Sequence, residues 1–206
     1  MRERARSGVA VWQRAGEPAG LEIVAAVRPD DHRELLVRSL QRTRAVVRCV
    51  WPMPERLPEN ADAIFCELVP QLVDRVPWLP GQPRAALVVV IPAAEPADVP
   101  TLQKCAPDAV LPRPFTANSV VATLMVARSS FLYGQRLRLR IEKLDDTLRS
   151  IRNVERAKTI LMRTRRLEEE EAYHFMRRQA MSKRVPIGTI ATAIVDSDDV
   201  LGYDFS

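Results

Sequence analysis

The chain has 206 residues, 47% of them hydrophobic and 28% charged, which fits an ordered, soluble protein of one large domain or two small ones. Seven glycines against 16 prolines argue against a Gly-rich nucleotide-binding enzyme, and no apolar run reaches the roughly 20 residues of a membrane span. The basic start, MRERARSG, lacks the continuous apolar core of a secretory signal, so a cytoplasmic protein with no membrane partner is expected. Cys49, Cys66 and Cys105 make no CxxC and no close Cys–His spacing, and they read as buried small apolar residues in a reducing compartment. His32 and His174 lie one in each half of the chain, so no metal site is expected.

The overall charge of +5 divides unevenly. Residues 1–127 carry a net +1, residues 128–184 a net +8, and residues 185–206 a net −4 with no Lys or Arg. A concentrated basic segment beside a neutral one suits a polyanion partner, because neutralised phosphates drive sequence-independent nucleic-acid affinity. A solvated helical face with interspersed charges would give the same count.

In chain order, Leu21–Val27 (LEIVAAV) reads as a strand stopped by Pro29. Asp30 and Asp31 can cap a helix carrying Leu35, Leu36, Ser39 and Leu40. Val46–Val50 and Ala61–Leu68 read as the second and third strands, each ended by proline. Ala85–Ile91 (AALVVVI) is the most hydrophobic run and predicts a strand buried on both faces. Asp108–Leu111 is a short fifth strand. A helix starting near Thr116 then carries Val120, Val121, Leu124 and Met125. Strands alternating with helices imply a parallel sheet built from βαβ units. The stretch holding Pro70, Pro77, Pro80 and Pro83 is a poor helix.

Five such strands resemble a response-regulator receiver domain of flavodoxin-like, doubly wound α/β fold. DAVLPRPF (Asp108–Phe115) is similar to the receiver's last strand and lysine–proline turn, with Arg113 in the lysine's place. DAIFCEL (Asp62–Leu68) is similar to the phosphoacceptor strand, with Glu67 in place of aspartate. Arg28 and Pro29 stand where the resemblance implies an acidic pair, although a shifted alignment brings up Asp30 and Asp31. Receiver phosphorylation needs an aspartate nucleophile, carboxylates for magnesium and a lysine cation. Glu67 and Arg113 therefore mark a degenerate phosphoacceptor site, and a pseudo-receiver is expected unless the alignment is off by a residue.

Past this half, Leu137, Ile141, Leu144, Leu148 and Ile151 repeat at spacings of 4, 3, 4 and 3, a coiled-coil dimer seam or a core-facing stripe. No proline interrupts Thr116–Met162, so one helix can run through, with Gly134 as its weak point. Glu168–Glu171 suit a helix N-terminus, where carboxylates complement the dipole. Tyr173, Met176 and Ala180 form one stripe, with Arg177 and Arg178 projecting away. Pro186 suits the first turn of a third helix with Ile187, Ile190, Ala191 and Ile194 as its apolar face.

Asn153–Val195 resembles the ANTAR domain, carried by Ala157-Lys158, Leu161-Met162, Ala172, Ala180-Met181, Ala191 and Ile194. Arg166 departs from that pattern, standing where the family has a glycine that ends the first helix, so a left-handed turn there would be costly. Together the two halves resemble ANTAR-domain transcription antiterminators of the AmiR and NasT type, and WPMPERL (Trp51–Leu57) echoes the former. The expected organisation is an extension over residues 1–20, a receiver-like domain over 21–127 and a coiled-coil linker over 128–152. A three-helix ANTAR bundle over 153–196 and an acidic tail over 197–206 complete it.

The resemblance implies a homodimer that grips leader-RNA hairpins and prevents terminator formation, controlled by a ligand-sensing negative regulator protein rather than by phosphorylation. Lys158, Arg163, Arg165, Arg177, Arg178, Lys183 and Arg184 are the candidate RNA-binding surface, with Tyr173 and Phe175 as candidate stacking partners. The other readings are a DNA-binding response regulator, against which the apolar PIGTIATAIV segment counts, and a protein-docking adaptor with no nucleic acid. No P-loop, nucleophile elbow or metal motif is present, so no catalytic residue, metal or cofactor is expected.

Overall fold

The computed structural model describes residues 20–79, 81–93 and 98–202, without the side chains of 201 and 202. Most of the expected N-terminal extension and the last four residues lie outside the described residues. The chain divides into two compact units between Gln135 and Arg136.

The first unit is a five-stranded sheet, β1 (Glu22–Ala26), β2 (Val46–Cys49), β3 (Ala63–Glu67), β4 (Ala86–Ile91) and β5 (Ala109–Pro112), in the order β2-β1-β3-β4-β5. Every pairing is parallel. Side chains alternate across the strands. Ile23, Ala25, Phe65, Val88 and Val90 pack with Leu36 and Leu40 of α1 (Asp31–Gln41) and with Val120, Leu124, Ala127 and Phe131 of the long helix that begins at Ala117. Val24, Ala26, Ile64, Cys66, Leu87 and Val89 pack on the other face with Leu72 of α2 (Leu72–Arg75) and Cys105 of α3 (Val99–Cys105). This is the flavodoxin-like architecture, with helices on both faces of the sheet.

The proline-rich stretch after β3 does form a helix, but of only 4 residues. The β2–β3 connection carries no helix at all. Instead, Arg75 of α2 ties that loop down, donating from Nη1 to the carbonyls of Met53 (2.9 Å) and Pro54 (2.8 Å). Cys66 and Cys105 are buried as expected, and burial pushes both thiols up. Cys49 corrects the expectation: it is exposed on the edge strand β2.

Helix α4 runs from Ala117 to Arg165 and passes through Gly134 without a break. In the second unit its last turns pack with α5 (Glu169–Lys183) and α6 (Ile187–Gly202). Ala157, Ile160 and Leu161 meet Ala172, Met176 and Ala180 of α5 and Ile190, Ala191 and Val195 of α6. Small alanines let the helices approach closely. At Gly188 the approach is closer still, because an added Cβ would lie 2.2 Å from Ser150 Oγ. Beside it, Asn153 Nδ2 donates to Thr192 Oγ1 at 2.9 Å. Tyr173 corrects the expected stripe: it is 41% exposed, and Ala172 takes the buried place. Helix α6 also continues through residues 197–202, which read in sequence as the start of a tail.

Candidate nucleic-acid interface

At the carboxyl ends of β1 and β3 lies the cluster that the receiver resemblance singles out. Glu67 ends β3 and is 1% exposed, a burial that an ionised carboxylate tolerates only with partners. Arg28, just past β1, supplies two donors: its Nε lies 2.6 Å from Glu67 Oε1 and its backbone N–H lies 3.3 Å from Oε2. Arg113 Nη2 stands 3.5 Å from the same Oε1, while Nη1 pairs with Asp30. Asp30 also caps α1, accepting from Arg33 N–H at 2.8 Å. Burial works to raise the Asp30 pKa, but the Arg113 hydrogen bond and the Arg33 amide prevail and hold it below the usual carboxylate value.

The sequence-derived pair, Glu67 and Arg113, is thus brought together within a group of four that also includes Arg28 and Asp30. Of the acidic pair raised by the shifted alignment, Asp30 joins this group, whereas Asp31 is the first residue of α1. The firmest bond to Glu67 comes from Arg28, to which the sequence reading gave no role.

In the second unit, α5 starts on the acidic run, with Glu168 N–H donating to Glu171 Oε2 at 3.0 Å. Two non-glycine residues take left-handed backbone at the helix ends, Arg166 (φ 54°) after α4 and Arg184 (φ 54°) after α5. The first is the position where the sequence raised a costly turn.

The seven basic candidates separate into three settings. Lys158 of α4 is enclosed by Glu155 at 2.8 Å and by Glu169 of α5 at 2.7 Å, and both carboxylates hold its ammonium above the ordinary value. Arg163 of α4 has Nη2 between the carboxylate oxygens of Asp198 of α6, at 2.7 and 2.9 Å. Arg165 lies over the Phe175 ring, its guanidinium carbon 4.8 Å from the centroid. Arg177, Arg178, Lys183 and Arg184 are exposed, and their side chains form no ion pair among the described residues.

A groove of about 720 Å³ joins part of this set: Arg165, Phe175, Gln179 and Lys183 line it with Ile194 and Asp198. A neighbouring depression adds His174 and Arg178. Cations, a ring face and one side-chain amide, that of Gln179, therefore share one surface, a combination suited to splayed bases and phosphates. Phe175 is half-buried against the bundle core, so it both packs and presents its ring. The sequence reading missed the cis-acting acids, Asp198 and Asp199, and the second paired arginine, Arg156, whose Nη2 meets Asp199 Oδ1. Their separation of more than 30 residues in sequence hides them from local pattern.

The repeat Leu137, Ile141, Leu144, Leu148 and Ile151 lies exposed along α4, each residue between 44% and 57% accessible. Large apolar side chains at coiled-coil spacing stay in solvent in the single chain.

No described helix is long and apolar enough to cross a membrane, and no group of three or more potential metal-ligating side chains occurs among the described residues. Comparison with known proteins supplies the relationship. The ANTAR domain matches residues 142–195, beginning within the segment read in sequence as linker. The family described as AmiR, N-terminal, matches residues 21–128, more than half of the chain. An aliphatic amidase regulator of Pseudomonas aeruginosa is 26% identical over 181 residues, covering 86% of this chain and 92% of its own length. Sheet order and the helical module accord with these matches, and the chain belongs to the AmiR N-terminal family, followed by an ANTAR domain.

Proposed function

We propose that this protein is an RNA-binding transcription antiterminator that acts as a homodimer on leader-RNA hairpins. The carrying observation is the set of exposed cations on and just after α5, Arg177, Arg178, Lys183 and Arg184, together with a groove in which Lys183 joins Arg165 laid on Phe175, all within the ANTAR-matched module. Phosphates would meet the exposed cations, and an unpaired loop base would meet the Arg165–Phe175 stack and Gln179. The bundle holds these groups on helices, so the surface is shaped before RNA arrives.

Dimerisation through Leu137, Ile141, Leu144, Leu148 and Ile151 would bring two such modules to one transcript. Two hairpins bound at once would then gain from effective concentration. The Glu67–Arg28–Arg113–Asp30 group supports control by something other than phosphorylation, and a ligand-sensing negative regulator protein is the partner that the family relationship suggests. A DNA-reading helix-turn-helix is less well supported, because Ile190, Ala191 and Val195 commit α6 to the bundle core.

Binding of an RNA stem-loop and of duplex DNA by the full chain, each titrated across salt, tests the proposal. Tighter RNA binding is expected at physiological salt. Replacing Arg177 and Arg178 with alanine should weaken it and lower the salt slope by about 0.7–0.9 for each phosphate that is no longer neutralised. Equal affinity for RNA and duplex DNA would overturn the reading in favour of a DNA-binding regulator.

A further inference from the structure

We infer that the acidic end of α6 acts as an internal polyanion mimic, keeping Arg156 and Arg163 of α4 off the nucleic acid and leaving RNA to the unpaired cations on and just after α5. The inference rests on the RNA-binding reading above and adds which basic residues it excludes.

Two ion pairs join this end of α6 to α4. Asp198 holds Arg163 through both carboxylate oxygens, and Asp199 holds Arg156. In each case a carboxylate occupies the place a phosphate would take at the guanidinium. These acids do not serve their own helix. They stand near the C-terminus of α6 (Ile187–Gly202), where negative charge opposes the helix dipole and where no basic residue lies in the last turn. A residue pair that breaks a local rule needs a compensating gain elsewhere.

That gain is small as fold stability. Arg163 and Arg156 are 67% and 56% exposed, and exposed ion pairs contribute little. It is substantial as field shaping. Two charges are cancelled on α4, while Arg177, Arg178, Lys183 and Arg184 on or just after α5 keep theirs. Two of the 16 basic side chains in residues 128–184 are thereby neutralised, which lowers non-specific attraction along that stretch of α4.

The test is a two-by-two set of full-length variants: wild type, D198N/D199N, R156Q/R163Q, and all four changes together. Each is titrated with a synthetic RNA stem-loop between 50 and 200 mM salt. Circular dichroism confirms the helix content of each. D198N/D199N should bind more tightly at low salt and steepen the slope by about 1.5. Its affinity should then fall about tenfold further than that of wild type over this range. R156Q/R163Q should leave wild-type binding unchanged yet abolish the gain in the asparagine background.

If R156Q/R163Q alone weakens binding as much as loss of Arg177 and Arg178, those arginines already reach RNA and the inference fails. It fails equally if D198N/D199N leaves affinity and slope unchanged. Wild type binding the stem-loop no better than duplex DNA would remove the RNA reading itself, a result separable from both.

Discussion

Arg28 and Glu67 meet at 2.6 Å at the carboxyl end of the parallel sheet, with the carboxylate almost wholly out of solvent and the guanidinium half exposed. The receiver resemblance implies an aspartate nucleophile at this position. Here the longer carboxylate is engaged by Arg28 and faced by Arg113, which in turn holds Asp30.

The first prediction follows from that grip. Incubation with acetyl phosphate and magnesium should leave the intact mass unchanged, and a stoichiometric phosphoryl adduct on residues 20–135 would contradict it. Glu67→Gln should cost about 1.5–3 kcal/mol in urea unfolding, because the charge-assisted hydrogen bonds from Arg28 are weakened. The cost stays at the low end because Arg113 keeps Asp30 and Arg28 reaches water.

Acid should loosen both units in a defined direction. The Lys158 hydrogen bond holds Glu169 below its ordinary 4.5, and the partners of Asp30 hold it below 3.8. A depressed carboxylate contributes stability above its unfolded pKa and loses it as pH falls through the folded value. Lys158 runs the other way: its raised pKa contributes fully below 10.5 and is lost as pH climbs through the folded value. These three groups therefore give no slope between about pH 5 and 10, and Glu169→Gln should flatten the acid limb of a Tm–pH curve.

Two backbone positions should respond oppositely to small changes. Arg166→Gly relieves a left-handed residue and should stabilise by about 0.5–1 kcal/mol, the left-handed penalty less the entropy of glycine. Gly188→Ala should destabilise by about 1 kcal/mol, since its methyl forces Ser150 Oγ to turn away and crowds Ser150 Cβ at 3.1 Å, an effect partly offset by the better helix propensity of alanine. Adding Ser150→Ala should recover part of that loss. Thermal unfolding of the three variants checks the signs.

Leu144→Glu with Leu148→Glu places two charges per chain in the exposed apolar repeat. The full chain should then be monomeric by light scattering, because an unpaired buried charge costs several kcal/mol and a short seam cannot offset it. Helix content should hold, since both residues already face solvent in the single chain. A dimer that survives the double change would place its interface elsewhere.

Much of this protein is legible in the order of its residues. Five strands and the capping role of Asp30 follow from local pattern, because periodicity and caps act over a few residues. Local pattern marked Gly134 only as a weak point and the left-handed turn at Arg166 as costly, and the folded chain decided that the helix runs on and that the turn forms. The short α2 and the buried place of Ala172 rather than Tyr173 do not follow from local pattern either, since packing against distant elements decides which competing local preference wins.

Charge shows the same division more sharply. Sequence located the basic segment and named Glu67 and Arg113 as an altered receiver pair. Only the folded chain determined that Arg28 would hold Glu67, that Lys158 would be enclosed by two glutamates, and that Asp198 and Asp199 would neutralise Arg163 and Arg156. Coulomb attraction depends on distance in space, and residues more than 30 positions apart reach each other only once helices and strands have packed.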